Sequence, residues 1–414
     1  MMTKRFSSHA ASIWGHRCLP ALALSLLAGC STAPVAWTPA EPVSQPQSPP
    51  PVAKPVPPPP AAKPVPPPLP PAQPAELLRL PIITYHHVNN DIKTDMAVPV
   101  ALFRQQMTYL KEQGYTPVTL EEWHLAISQG GRLPAKPVAI TFDDGYGDQY
   151  RNALPILNRY GFKATFYVYS AFIDKSQAMS LAQLRRLASE GHCIGSHTLS
   201  HAKLTLHHPG EGEAAYLARI EQEIGGSRQL LEQQLGFPIH HFCYPYGYYS
   251  DEIMARLQSA GYCTATTVNP MVNGRTTPPY LLGRTIIGPK TTLADLAKYL
   301  EWRPFEGLEL QPGNGMIQQQ ASAFIRVMMP ATPLWDPKTL KLWLDGRELA
   351  KTCYHWDPAL HTFTCQLPQP FKPGFRHLQI FAKDASLHPY TFSWRFQQNE
   401  EANLSGKPGP TQPN

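Results

Sequence analysis

The run Val138-Ala139-Ile140-Thr141-Phe142 is bounded by Pro137 on one side and Asp143-Asp144-Gly145 on the other. Five apolar or β-branched residues between turn-forming neighbours predict a buried strand that stops at the two carboxylates. Similar runs alternate with stretches of helical pattern at 102–112, 180–189, 211–235 and 251–260. This alternation gives an α/β fold, in which the carboxyl ends of the strands form the rim where loops and catalytic side chains converge. The pattern changes after Trp302, where short alternating runs such as 323–327, 340–344 and 377–382 take over, with turns at Asp345-Gly346 and Pro373-Gly374. These predict a small C-terminal β-sandwich over 303–398 following an α/β domain over 79–302, with a disordered tail at 399–414.

The chemistry is carried by Asp143 and Asp144 together with His197 and His201. The histidines are four residues apart, so one helical turn would present both imidazoles on the same face. One added carboxylate completes a two-histidine, one-carboxylate set that leaves coordination positions open for water and substrate. A divalent ion follows, Zn2+ first and Co2+, Ni2+ or Fe2+ as alternatives. Such an ion polarises a carbonyl and lowers the pKa of water to about 7, while the second carboxylate takes the proton. Either fragment alone is weak, since Asp-Asp-Gly commonly makes a turn and His-x-x-x-His an exposed helix face.

Thr141-Phe142-Asp143-Asp144-Gly145, His197-Thr198-Leu199-Ser200-His201 and Tyr244-Pro245-Tyr246-Gly247 together resemble the first three motifs of the polysaccharide deacetylases. These are metal-dependent enzymes that remove N- or O-acetyl groups from sugar polymers. The resemblance runs from about Leu80 to about Leu300. It implies a distorted, incomplete (β/α) barrel with Asp143 as base, Asp144, His197 and His201 as metal ligands, and the backbone N–H of Tyr246 as oxyanion donor.

The chain departs from the family pattern twice. The arginine usually found upstream of the third motif's proline is missing from His240-His241-Phe242-Cys243-Tyr244-Pro245, and Arg284 is the candidate to orient Asp143 instead. The family's late histidine is also missing, because no histidine occurs between His241 and His355. The strand-like run Pro81–Val88 contains His86 and His87 at its end, and in a barrel the first and last strands are neighbours. This permuted arrangement resembles the poly-β-1,6-N-acetylglucosamine deacetylases of biofilm systems. It makes His86 the candidate acid and puts His87 where those enzymes have an acidic residue. The implied substrate is an acetylated N-acetylhexosamine polysaccharide; peptidoglycan, O-acetyl esters or a catalytically silent glycan-binding role are the alternatives.

At the amino terminus, Lys4, Arg5 and Arg17 precede an apolar stretch, Leu19–Ala28, too short to span a bilayer, which leads into Leu27-Ala28-Gly29-Cys30. This is similar to a bacterial lipoprotein signal over residues 1–30, with Cys30 lipidated. Ser31 after it favours an outer-membrane lipoprotein facing the periplasm or cell surface. Residues 31–78 are dominated by proline and contain Ala-Lys-Pro-Val-Pro-Pro-Pro twice. Such a linker prefers polyproline II at about 3.1 Å per residue and could reach on the order of 100 Å from the anchor. The expected partners are therefore the polysaccharide, the membrane through the lipid, and exopolysaccharide export machinery. A formal charge of +6 without a basic cluster gives no indication of nucleic acid binding.

Pro373–Leu378, Ala382–Ala385 and Phe392–Phe396 are similar to the last strands of bacterial immunoglobulin-like modules, where Trp343 and Trp394 are either glycan-binding or core residues. Cys353 and Cys365 flank the turn Trp356–Ala359 and are the expected disulfide. A pair among Cys193, Cys243 and Cys263 is a further candidate whose connectivity spacing cannot fix.

Overall fold

The computed structural model describes residues 78–330 and 334–399. The expected signal, Cys30 and all but the last residue of the proline-rich linker lie outside them, as does the C-terminal tail beyond residue 399.

Seven strands build the incomplete barrel: β1 (Leu80–Tyr85), β2 (Pro137–Phe142), β3 (Thr165–Val168), β4 (Cys193–Ser196), β5 (His241–Cys243), β6 (Thr264–Thr266) and β7 (Thr285–Ile286). They pair in parallel in that order, and β7 returns to pair with β1 through Ile83–Thr285 and Thr84–Ile286. Between β6 and β7 the link is a single parallel bridge, Thr266–Leu282, so the sheet is curled but not fully closed. Every residue of β1 and β2 is buried, as a strand covered on both faces requires. The core runs through stacked rings, with Phe142 and Phe166 4.8 Å apart and Tyr85 5.6 Å from Phe142.

Helices α1 (Val100–Glu112), α2 (Leu120–Gln129), α3 (Leu154–Tyr160), α4 (Leu181–Ser189), α5 (Glu213–Glu221), α6 (Ser227–Leu235), α7 (Asp251–Ser259) and α8 (Leu293–Glu301) cover the sheet. Reciprocal capping boxes start three of them, Thr119 with Glu122, Ser180 with Gln183 and Thr292 with Asp295. Each satisfies amide donors that the first helical turn would otherwise leave unpaired. The single helix expected over 211–235 is interrupted: between α5 and α6 the chain makes a π-helical turn at Gln222–Gly226. At that turn the Glu223 carbonyl accepts the backbone N–H of Leu199, between the two motif histidines. Wide turns of this kind concentrate at functional sites.

The C-terminal module is a pair of sheets. The larger contains β9 (Asp336–Leu344), β12 (Gly374–Lys383) and β13 (Pro389–Gln398), joined at its edges by 303–304, 317–318 and 347–348. The smaller contains residues 309–311, β8 (Phe324–Met328), β10 (Tyr354–Asp357) and β11 (Thr362–Gln366). Their inner faces share one apolar core that includes Ile325, Val327, Leu342, Ile380 and Trp394. Trp394 is fully buried and donates its indole N–H to the Pro312 carbonyl, so it is a core residue and offers no face to a glycan. Cys353 and Cys365, the expected pair, bring their Sγ atoms to 2.6 Å. Cys193, Cys243 and Cys263 form no disulfide among the described residues.

Candidate active site

Asp143 follows β2 and His197 follows β4, while Tyr246 lies in the short 3-10 turn Pro245–Gly247 after β5. All three therefore stand at the carboxyl rim of the parallel sheet. Four non-glycine residues here have positive φ: Asp144 (74°), Thr198 (68°), His201 (66°) and Tyr246 (58°). Each such conformation costs on the order of 1–3 kcal/mol and persists only where surrounding contacts impose it. Gly145 continues the turn after Asp144 at φ 74°, and a Cβ there would lie 2.8 Å from Val168 Cγ1. Only glycine fits.

The histidines do not sit on a helix, as their spacing suggested. Thr198 and His201 in the left-handed region make a tight loop that achieves the same convergence. Glu223 fastens this loop, accepting Ser200 N at 2.9 Å and Ser200 Oγ at 2.6 Å on its carboxylate. That buried glutamate was not picked out in the sequence, because nothing near it in the chain marks a partner 23 residues away.

Asp144 Oδ1 faces His197 Nε2 at 3.5 Å and His201 Nε2 at 3.2 Å. The far nitrogens are anchored, His197 Nδ1 to the Cys243 carbonyl at 2.8 Å and His201 Nδ1 to the Tyr246 hydroxyl at 3.2 Å. Such partners fix ring orientation and leave Nε2 for a metal. Asp144 Oδ1 is buried yet has no well-directed hydrogen bond among the described residues. Ligands at 2.0–2.1 Å around a tetrahedral ion lie about 3.3 Å from one another, so the set fits a divalent cation. Burial opposes ionisation of Asp144, but the two imidazoles hold its carboxyl well below the usual range.

Asp143 is treated differently. Arg284, fully buried just before β7, forms a two-pronged ion pair with it, Nη1 to Oδ1 at 2.7 Å and Nη2 to Oδ2 at 2.8 Å. The rest of the guanidinium is used by the Thr267 carbonyl, Thr84 Oγ1 and Thr141 Oγ1. Arg284 Nη2 also donates to Cys243 Sγ at 3.0 Å, and that sulfur lies 3.6 Å from Asp143 Oδ2. Burial pushes the Asp143 carboxyl upward, yet Arg284 outweighs it and brings the pKa down to about 2. Asp143, His197 and Cys243 also lie within ligand reach of one another. The guanidinium already occupies that position as the counter-cation, so it is no place for an ion.

His86 approaches the base, with Nε2 3.9 Å from Asp143 Oδ2. Burial lowers its pKa despite the Asp143 and Asp144 charges, and its Nδ1 has no partner among the described residues. His87 points elsewhere, stacking on Tyr146 at 3.7 Å and pairing through Nδ1 with Asp148 Oδ2 at 2.8 Å. Gln149 clamps the two strand ends together by donating to the carbonyls of Asp143 (2.5 Å) and His86 (2.8 Å). Asp148 and Gln149 carried no recognisable signal beyond their closeness to Asp143-Asp144. Rings of Tyr146, Tyr169, Phe172 and the half-exposed Tyr246 surround the opening.

The C-terminal module reaches the same loop. Arg395 Nη1 donates to the Tyr246 carbonyl at 3.3 Å, and Phe375 lies edge-on to Tyr248 at 4.3 Å. Tyr249 donates its hydroxyl to Asn314 Oδ1 at 2.5 Å.

Residues 130–265 match the polysaccharide deacetylase family model. YxkH of Bacillus subtilis (strain 168), a provisionally named polysaccharide deacetylase, is 29% identical over 223 residues, covering 54% of this chain and 76% of its own length. The poly-beta-1,6-N-acetyl-D-glucosamine N-deacetylase of Escherichia coli (strain K12) is 25% identical over 217 residues; the match covers 44% of this chain and 32% of that protein. The chain thus spans about a third of that relative's length. The Streptococcus pyogenes deacetylase PplD, solved in complex with acetate, superposes with a TM-score of 0.50 at 26% identity, covering 54% of this chain and 99% of PplD. Through this segment and the curled sheet that presents it, the chain carries a polysaccharide deacetylase domain.

Proposed function

We propose that the protein hydrolyses N-acetyl groups of an N-acetylhexosamine polysaccharide in the cell envelope, releasing acetate and leaving cationic amines, with poly-β-1,6-N-acetylglucosamine as the favoured polymer. The observation that carries this reading is the division of labour between neighbouring carboxylates: Asp143 is held ionised by Arg284, while Asp144 faces two imidazoles across an ion-sized gap.

Asp144, His197 and His201 would hold the divalent ion, with zinc preferred for two imidazoles and one carboxylate. When bound, it supplies Lewis acidity and makes water nucleophilic near neutral pH. Asp143 takes the proton of the attacking water, its orientation locked by the guanidinium fork. His86 is the nearest imidazole to the base and is the residue assigned to protonate the departing amine. Tyr246 offers its backbone N–H to the oxyanion, and the left-handed turn at that residue sets the direction of this donor. The surrounding aromatic rings suit the apolar faces of pyranose rings.

The similarity to poly-beta-1,6-N-acetyl-D-glucosamine N-deacetylases supports the polymer assignment, together with the histidine that directly follows the first strand. Lipidation at Cys30, outer-membrane attachment and contact with export machinery complete the proposal and rest on the amino-terminal sequence alone.

The test is acetate release from β-1,6- and β-1,4-linked N-acetylglucosamine oligomers, peptidoglycan and O-acetylated glycans, before and after chelation and zinc return. Zinc-dependent release from the β-1,6 oligomers above the others is expected. Release from O-acetylated glycans alone, little changed by His86→Ala, would instead identify an esterase, since an alkoxide leaves more easily than an amine.

A further inference from the structure

The strands that carry the catalytic rim have a second cluster at their opposite ends. His241 opens β5, His240 precedes it, and Glu121 lies in the first turn of α2. Glu121 Oε2 is 3.0 Å from His240 Nδ1 and 2.8 Å from His241 Nε2. We propose that Glu121, His240 and His241 form a second divalent transition-metal site, of the class that takes Zn2+, at the amino-terminal rim of the barrel.

The arrangement repeats the logic of the catalytic triad: two imidazole nitrogens converge on one carboxylate oxygen. Its ligand atoms, like those of the catalytic set, lie within 4.8 Å of one another. The separations are a few tenths of an ångström shorter than the roughly 3.3 Å expected around a tetrahedral ion. His240 and Glu121 can open that gap, because their side chains are 36% and 37% exposed.

His241 is the fixed member. Its side chain is 1% exposed, and its other nitrogen, Nδ1, bonds Thr264 Oγ1 at 2.8 Å. A second partner of this kind sets the ring orientation of metal-binding histidines. His124, one turn further along α2, places its ring 6.4 Å from that of His241. An ion here would tie α2 to β5, whose far end bears the Cys243 carbonyl that anchors His197. The solvent-facing side of the cluster gives the ion a route in.

The experiment is zinc titration of the metal-stripped full chain, with stoichiometry read by calorimetry and by elemental analysis after dialysis. Two equivalents are expected for the wild type. His201→Ala should retain one. The double variant Glu121→Gln, His240→Ala should also retain one and keep its acetate release. Both substituted side chains are partly exposed, and far-UV circular dichroism checks the fold. Thr264→Val should weaken only the second site, by about 10-fold or more. Cobalt substitution gives an independent readout, since each vacated site should remove its own visible absorption. A wild type that takes up one equivalent, lost completely in His201→Ala, overturns the proposal, as does a double variant that still binds two. If the double variant does not fold, the wild-type and His201→Ala stoichiometries decide alone.

Discussion

The floor of the catalytic mouth and its open side use adjacent residues in opposite ways. On the floor, Asp143 is buried against a fully buried arginine whose donors are spent on the carboxylate, two threonines, a carbonyl and a thiol. On the open side, Asp144 faces histidines of which His201 is 22% exposed, beside a Tyr246 that is 51% exposed. The left-handed backbone at Asp144 lets two consecutive carboxylates serve separate surroundings. Charge on the floor is neutralised by a buried arginine, whereas on the open side Asp144 faces two imidazoles. Residue type alone assigns neither role; the partner does.

The contrast breaks most severely if the floor loses its cation. Arg284→Met should leave a buried, unpaired Asp143, lower stability by about 3–5 kcal/mol in urea unfolding and remove most turnover. Arg284→Lys keeps the charge but not the fork and should recover only part of the loss. A variant with wild-type stability would mean that the pair is not the floor's organiser.

The second effect appears with acid. Asp143's folded pKa is depressed from 3.8 to about 2, so its contribution is fully present above the unfolded value and is lost as pH falls through the folded one. In metal-free protein, the stability gap between wild type and Asp143→Asn should therefore shrink by about 2 kcal/mol between pH 4 and pH 2. A gap that widens on acidification would contradict the ionised, arginine-bound state.

The smallest effect is expected from the module behind the open side. Arg395→Ala removes one hydrogen bond to the Tyr246 carbonyl, worth about 1 kcal/mol, and should lower kcat a few-fold with KM little changed. Unchanged kcat would show that the Tyr246 loop holds itself.

The α/β barrel and the four rim residues are legible because two carboxylates and two histidines fall in short stretches beside strand-like runs. Arg284 was legible as a replacement because the usual arginine was conspicuously absent. The loop holding His197 and His201 was misread as helical, since i, i+4 spacing does not distinguish a helical turn from two left-handed residues. Glu223, Gln149 and Cys243 were missed in their site roles for a common reason: each acts through a tertiary contact. Cys243 shows this most clearly, having been read as a disulfide candidate when its thiol sits between the base and its arginine.

The central claim is that Asp143 and Asp144 divide base and metal duties. Its most direct test is zinc content measured alongside acetate release for Asp143→Asn and Asp144→Asn. The account predicts that Asp143→Asn keeps its catalytic-site zinc while turnover falls by about 10²–10⁴-fold, and that Asp144→Asn loses both. Loss of zinc in Asp143→Asn with retention in Asp144→Asn would contradict it.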